Sequence, residues 1–283
     1  MRAVVITGAS TGIGRACALT LDRKGFHVFA GVRREQDATS LRSAATDRLT
    51  PVHLDVTDEQ SIMDASHAVA DAVGETGLAG LVNNAGTTLP CPVEYLDLAD
   101  FRHQIEVNLT GHLAMTKVFL PMLRSARGRI VNVSSVSGKI GGPMMAPYSA
   151  AKHGIEGLSD SLRLELAGSG IRVSIIEPGL ISTAMKDKLE RDTEATLRSL
   201  PDEGRSRYGA ALRTLASTIS REAAHGSAPD AVAEAVVHAL TSPRPRIRYP
   251  AGARAKRLLL LRRILPDAWM DRVLLHAVGL KPR

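Results

Sequence analysis

Short apolar runs rich in β-branched residues alternate along the chain with stretches whose apolar positions recur at helical spacing. The runs fall at residues 3–7, 27–32, 51–55, 78–83, 129–134 and 172–177, with a seventh at 246–249. Between them lie patterns such as Ile62, Ala65, Val69 and Val73, or Ile155, Leu158, Leu162 and Leu166, which place apolar side chains on one helix face. Strands that alternate with helices pair in parallel through right-handed crossovers, so the pattern predicts an α/β doubly wound sheet covered on both faces. Ligands of such sheets bind beyond the carboxyl ends of the strands.

The 283 residues suit one large domain, and 44% hydrophobic with 23% charged residues excludes disordered, collagen-like and disulfide-scaffold classes. Cys17 and Cys91 have no Cys or His neighbour at metal-ligand spacing, so no metal site is expected. No signal-peptide pattern precedes the first strand, and no apolar run reaches the roughly 18 residues of a spanning helix. These features lead us to expect a reduced, cytoplasmic protein. The net charge of +7 is unevenly placed. Residues 244–283 hold eleven Lys/Arg and two acids, a charge of +9, which leaves 25 basic and 27 acidic residues in a nearly neutral body.

Chemistry enters with Thr7-Gly8-Ala9-Ser10-Thr11-Gly12-Ile13-Gly14, after the first strand and at the start of a helix expected over 15–23. Glycines let the backbone turn tightly and approach a pyrophosphate, whose charge is attracted by the helix N–H groups. Tyr148 and Lys152 stand four apart on a helix expected over 147–167, hence on one face. A neighbouring ammonium favours the phenolate and moves a phenol toward working range. Ser135, thirteen positions before Tyr148 and just past the fifth strand, can hydrogen-bond a carbonyl; Ser134 is its competitor for that role.

The glycine spacing, followed by Asn83-Asn84-Ala85-Gly86, Asn108, Ser135 and Tyr148-Ser149-Ala150-Ala151-Lys152, resembles the compact short-chain dehydrogenase/reductases from Val4 to about Thr183. That resemblance implies a single Rossmann-type domain of three layers with a seven-stranded parallel sheet, over residues 1–250. It makes Tyr148 the proton donor or acceptor at the substrate oxygen. Ser135 orients that oxygen, Lys152 holds the nicotinamide ribose and lowers the Tyr148 pKa, and Asn108 anchors a proton-relaying water. Gly8, Ser10, Thr11, Gly12, Ile13 and Gly14 would cradle the pyrophosphate. Asp55 and Val56 would hold the adenine, Asn84, Ala85 and Gly86 would line the site, and Pro178, Gly179, Ile181 and Thr183 would hold the carboxamide. It also implies a homodimer or homotetramer.

An acid at the end of the second strand would select NAD through the ribose 2′-hydroxyl and repel a 2′-phosphate. Here Val32 is followed by Arg33 and Arg34, which pair with a 2′-phosphate, so NADP(H) is favoured, with Arg33 as the main contact and NAD(H) the alternative.

Residues 184–226 read as a substrate lid of two helices, 185–199 and 205–225, broken by Pro201 and Gly204. Residues 48–58 and 77–86 are similar to the retinol and hydroxysteroid dehydrogenase branch, although the lid is polar and rich in Arg and Glu. Residues 251–283 form a basic tail in which Leu258 to Leu261 lie between Lys256-Arg257 and Arg262-Arg263, followed by Trp269. Such a segment suits peripheral contact with an anionic membrane, or packing on protein. Nucleic acid is disfavoured, because the basic residues lack interleaved aromatics. The sequence therefore predicts an oxidoreductase moving hydride between NADP(H) and a secondary alcohol or ketone, bulky and apolar like a retinoid or steroid. The alternative is an NADP(H)-binding scaffold with little turnover.

Overall fold

The computed structural model describes residues 2–183, 185–277 and 279–280, without the side chains of 185–187. Ala184, where the expected lid begins, and the tail cations Lys281 and Arg283 lie outside the described residues.

Strand and helix alternate as the pattern predicts. The first half runs β1 (Ala3–Ile6), α1 (Gly12–Arg23), β2 (His27–Val32), α2 (Glu35–Arg42), β3 (Leu49–His53), α3 (Glu59–Val73), β4 (Gly80–Asn83), α4 (Leu98–Ile105) and α5 (Gly111–Ser125). It continues with β5 (Arg129–Val133), α6 (Ala146–Glu165), β6 (Arg172–Pro178), then α7 (Met185–Ser199) and α8 (Asp202–Ala224) where a lid is expected, α9 (Asp230–Thr241) and β7 (Arg248–Ala251). Two tail helices follow, α10 (Ala255–Ile264) and α11 (Asp267–Ala277).

All seven strands pair in parallel in the order β3-β2-β1-β4-β5-β6-β7. The third strand starts and ends two residues before the expected span. The fourth starts two residues late at Gly80, and the seventh lies two residues further on.

Alternation along β1 shows how the sheet is filled. Val4 and Ile6 face a core shared with α1, α2 and α9, whereas Ala3 and Val5 face a second core shared with α3, α5 and α6. Fully buried Leu21, Phe119, Leu123 and Ile155 each contribute about 1.5–3 kcal/mol relative to exposure. Strand order reverses direction between β1 and β4, so the crevice at their carboxyl ends is the expected ligand position.

Candidate active site

The glycine loop follows β1 and opens α1. A side chain at Gly14 would put Cβ 2.2 Å from Gly8 O and 2.4 Å from Asn84 Nδ2, so only glycine fits. The Asn84 side chain donates to Thr7 O at 2.9 Å and to Gly8 O at 3.1 Å. The Thr7 hydroxyl accepts from the N–H groups of Asn84 and Ala85, each at 2.9 Å. Asn84 thus ties the end of β4 to the glycine loop with its own side chain. The sequence reading assigned no part to Thr7, whose contact lies 77 residues away.

The start of α1 has neither a side-chain cap nor an acidic residue in its first turn, which leaves the helix dipole free to meet an anion. An open groove of about 370 Å³ runs from Gly12 along α1 to Arg23, bounded by Ser182, Thr183 and the Pro229-Asp230 start of α9. Thr183 lies close enough that a Cβ on Gly12 would be 3.3 Å from it. Gly179 packs on Ala253 O and Ile181 is buried in the sheet's first core, which fixes this loop.

At the end of β2, Arg34 pairs bidentately with Asp37 at 2.8 and 3.1 Å. Arg33 is 70% exposed and only loosely paired with Asp55, at 3.8 Å. Burial opposes the charge on Asp55, but hydrogen bonds from the Thr57 N–H and hydroxyl, helped by Arg33, hold the carboxyl below its ordinary range. Val56 is buried next to it.

Asn108 lies in a π-turn, Glu106–Thr110, between α4 and α5. Its side chain is fully engaged: Oδ1 accepts from Thr87 N at 3.0 Å, and Nδ2 donates to Thr87 O at 2.9 Å and Gln104 O at 2.8 Å. These three bonds fix the Asn108 side chain between the Thr87 segment and α4, so it has little freedom to turn toward a water. Gly86 sits beside it, where a Cβ would be 2.9 Å from Asn108 Oδ1 and 3.9 Å from Lys152 Nζ. Asn83 crosslinks the strand ends by donating to Asn132 Oδ1 at 2.9 Å and Thr116 Oγ1 at 3.1 Å.

The catalytic candidates meet at the carboxyl end of β5. The Ser135 hydroxyl stands by the Tyr148 phenol and accepts from Ser137 N at 3.1 Å, whereas Ser134 is buried beneath the turn beside Gly138. Lys152 Nζ lies 5.7 Å from the Tyr148 ring centre and donates to Val133 O at 2.8 Å. Burial pushes the Tyr148 phenol above its ordinary range, and the nearby Ser135 hydroxyl only partly opposes it. This differs from the expected lowering by Lys152: burial of the phenol dominates, and the Lys152 ammonium is turned to the Val133 carbonyl. Burial pushes Lys152 down to about 8.

His112 was not singled out in the sequence. Burial, then the Lys152 charge, pushes it down to about 3, so the ring is neutral and Nε2–H donates to Ala85 O at 2.8 Å.

A phenol, a hydroxyl and an ammonium thus converge beside a glycine-rich helix start at the switch point of a parallel sheet. Residues 2–194 match the family model for short chain dehydrogenase. The chain belongs to the short-chain dehydrogenase family. It is an NAD(P)-dependent oxidoreductase acting on CH–OH groups. It is 41% identical to mouse retinol dehydrogenase 16, over 99% of this chain and 89% of that protein. It is 38% identical to human 17-beta-hydroxysteroid dehydrogenase type 6, over 96% of this chain and 87% of that protein. A solved short chain dehydrogenase from Burkholderia cenocepacia J2315 in complex with NADP superposes with a TM-score of 0.70 at 27% identity, with all of both chains covered.

Against this short-chain dehydrogenase frame the lid differs from its sequence impression. Although polar in composition, it has an apolar underside in which Leu197, Leu200, Leu212 and Leu215 pack with Met144, and its charges lie on the outer face. The run Leu258 to Leu261 is also divided: Leu258, Leu259 and Leu261 are half-buried, while Leu260 is exposed. No helix among the described residues is long and apolar enough to cross a membrane.

Proposed function

We propose that this chain interconverts a bulky apolar alcohol and its carbonyl counterpart with NADP(H), using Tyr148 as acid and base. The meeting of Ser135 and Tyr148 at the end of β5, with Lys152 Nζ 5.7 Å from the Tyr148 ring centre, carries this reading. Bound NADPH would supply the hydride. The glycine loop, Arg33 and the 178–183 loop fit the dinucleotide: the glycines leave no room for a Cβ, the helix start lacks an internal acceptor, and Arg33 has an exposed guanidinium.

In the carbonyl-reducing direction Ser135 orients the substrate oxygen, and Tyr148, a phenol whose proton burial holds more firmly still, donates its proton to that oxygen. The Lys152 ammonium stabilises the phenolate left behind. General acid catalysis of this kind is worth about 10²–10⁴-fold.

The names of the relatives, a retinol and a hydroxysteroid dehydrogenase, and the leucine-lined underside of the lid support an apolar substrate. The test is a panel of retinoid, steroid and small cyclic ketones assayed with NADPH and with NADH. The expected result is turnover of bulky ketones with NADPH; turnover of small polar carbonyls alone, or a preference for NADH, would overturn it.

We place the protein in the cytoplasm, with its tail in peripheral contact with an anionic membrane. Leu260, Ile264, Trp269 and Val273 are exposed on α10 and α11, and Arg257, Arg263 and Arg272 are interleaved with them. A mixed apolar and basic face of this kind suits the headgroup boundary.

A further inference from the structure

The tail reaches back to the lid as well as facing outward. Its helix α11 ends in a turn set by Gly279, which has φ +69°: Gly279 N donates to His276 O at 3.1 Å and Leu280 N to Leu275 O at 2.9 Å. This paired 5→2 and 6→1 closure is a helix stop that a glycine in the left-handed region allows, and the residue after the glycine makes an apolar contact. That residue, Leu280, packs against the cluster formed by Leu197, Leu200, Leu212 and Leu215 of the lid. Gly279 faces the same helix, since a Cβ there would be 3.9 Å from Thr214 Cγ2.

A second tie lies at the other end of the tail, where Arg254, just before α10, pairs with Glu222 near the end of α8. A third joins the tail to the catalytic turn, with Arg262 Nε donating to Lys139 O at 3.2 Å, four residues past Ser135. The lid cluster itself includes Met144, with Met145 packed against it, immediately before the helix that carries Tyr148. The apolar cluster of α7 and α8 is therefore joined on one side to the segment leading into the Tyr148 helix and on the other to the tail.

We propose that Arg254 and Leu280 are specificity-determining positioning residues, which hold helix α8 at the distance from Tyr148 that a bulky apolar substrate requires. The proposal rests on the apolar-substrate reading above. Neither residue touches the reacting atoms, so their loss should affect binding of large substrates and leave the chemical step alone. The Arg254–Glu222 pair is half-exposed, and such pairs add little stability, so its role is to set position.

The experiment compares the wild-type protein with Leu280→Asp, Arg254→Glu and the swapped double variant Arg254→Glu/Glu222→Arg. Steady-state kinetics are taken with a steroid ketone and with cyclohexanone. Expected are a KM rise of about tenfold for the steroid ketone in both single variants, with kcat and NADPH affinity unchanged. The KM for cyclohexanone should be unaltered, and the swap should return the steroid KM toward wild type. Equal KM changes for both substrates, or none, would overturn the proposal.

Amide hydrogen exchange over residues 188–224 provides a readout independent of substrate. Faster exchange in Leu280→Asp and in Arg254→Glu, the latter reversed by the swap, supports the tie between tail and lid; unchanged exchange overturns it. If the wild type turns over no bulky ketone while exchange still responds, the substrate reading fails and the tie stands.

Discussion

The carboxyl edge of the sheet and the C-terminal tail solve opposite problems with polar residues. At the sheet edge polar side chains are buried and pinned: Asn83 between two strands and a helix, Asn84 on the glycine loop, Asn108 on Thr87 and Gln104, Lys152 on Val133 O. In the tail the cations are mostly exposed and mixed with exposed aliphatics, and the firmest polar ties run from Arg254 and Arg262 back to the body. A buried polar group without a partner costs more than a made hydrogen bond returns, so the site is rigid wherever it is dry. Charge in quantity marks the tail, while charge in position marks the site.

That contrast can be broken most sharply at the glycine loop. Gly14→Ala forces a Cβ into Gly8 O and Asn84, so NADPH affinity, read by fluorescence titration, should fall by about 100-fold or more; an unchanged Kd would mean the loop does not hold the cofactor.

Arg33→Asp replaces an exposed, loosely paired guanidinium with a repelling carboxylate, and the NADP/NAD ratio of kcat/KM should fall by about 10–100-fold, the worth of one charge-assisted contact. An unaltered ratio removes Arg33 from cofactor choice.

A third test uses pH. Because the Lys152 pKa is depressed to about 8, its ammonium is present below that value and lost above it. Carbonyl reduction should be flat from pH 6 to 7.5 and fall by about tenfold per unit above 8. A profile flat to pH 10 would show that the charge of Lys152 is not needed.

The smallest effect on chemistry is expected in the tail. Leu260→Glu with Ile264→Glu should abolish flotation with phosphatidylserine vesicles and leave turnover of a small soluble ketone within about twofold. Lost turnover there would contradict the separation of the two regions.

Much of the fold was legible because its signals are local. The β-branched apolar run of β1, the glycine spacing and the four-residue step from Tyr148 to Lys152 are each patterns within a few residues of chain. What escaped depends on contacts across the chain. Thr7 meets Asn84, and His112 meets Ala85, only after the sheet forms.

Arg248 joins Glu156 at 2.9 Å and Asp160 at 2.7 Å across about 90 positions, close to a Glu177 that burial, with Glu156 nearby, pushes up to about 7. No pattern along the sequence announces that cluster. The lid misled for another reason: averaged composition hides a helix whose leucines all point one way, and spacing along α7 and α8 was the better signal.

The central claim is that one buried phenol, rather than the abundant charge of the tail, performs the chemistry. Tyr148→Phe removes a single hydroxyl, and the direct measurement is its kcat for ketone reduction alongside its NADPH Kd. The account predicts that kcat falls by about 10²–10⁴-fold while the Kd stays within about twofold. Retained turnover at wild-type cofactor affinity would contradict it.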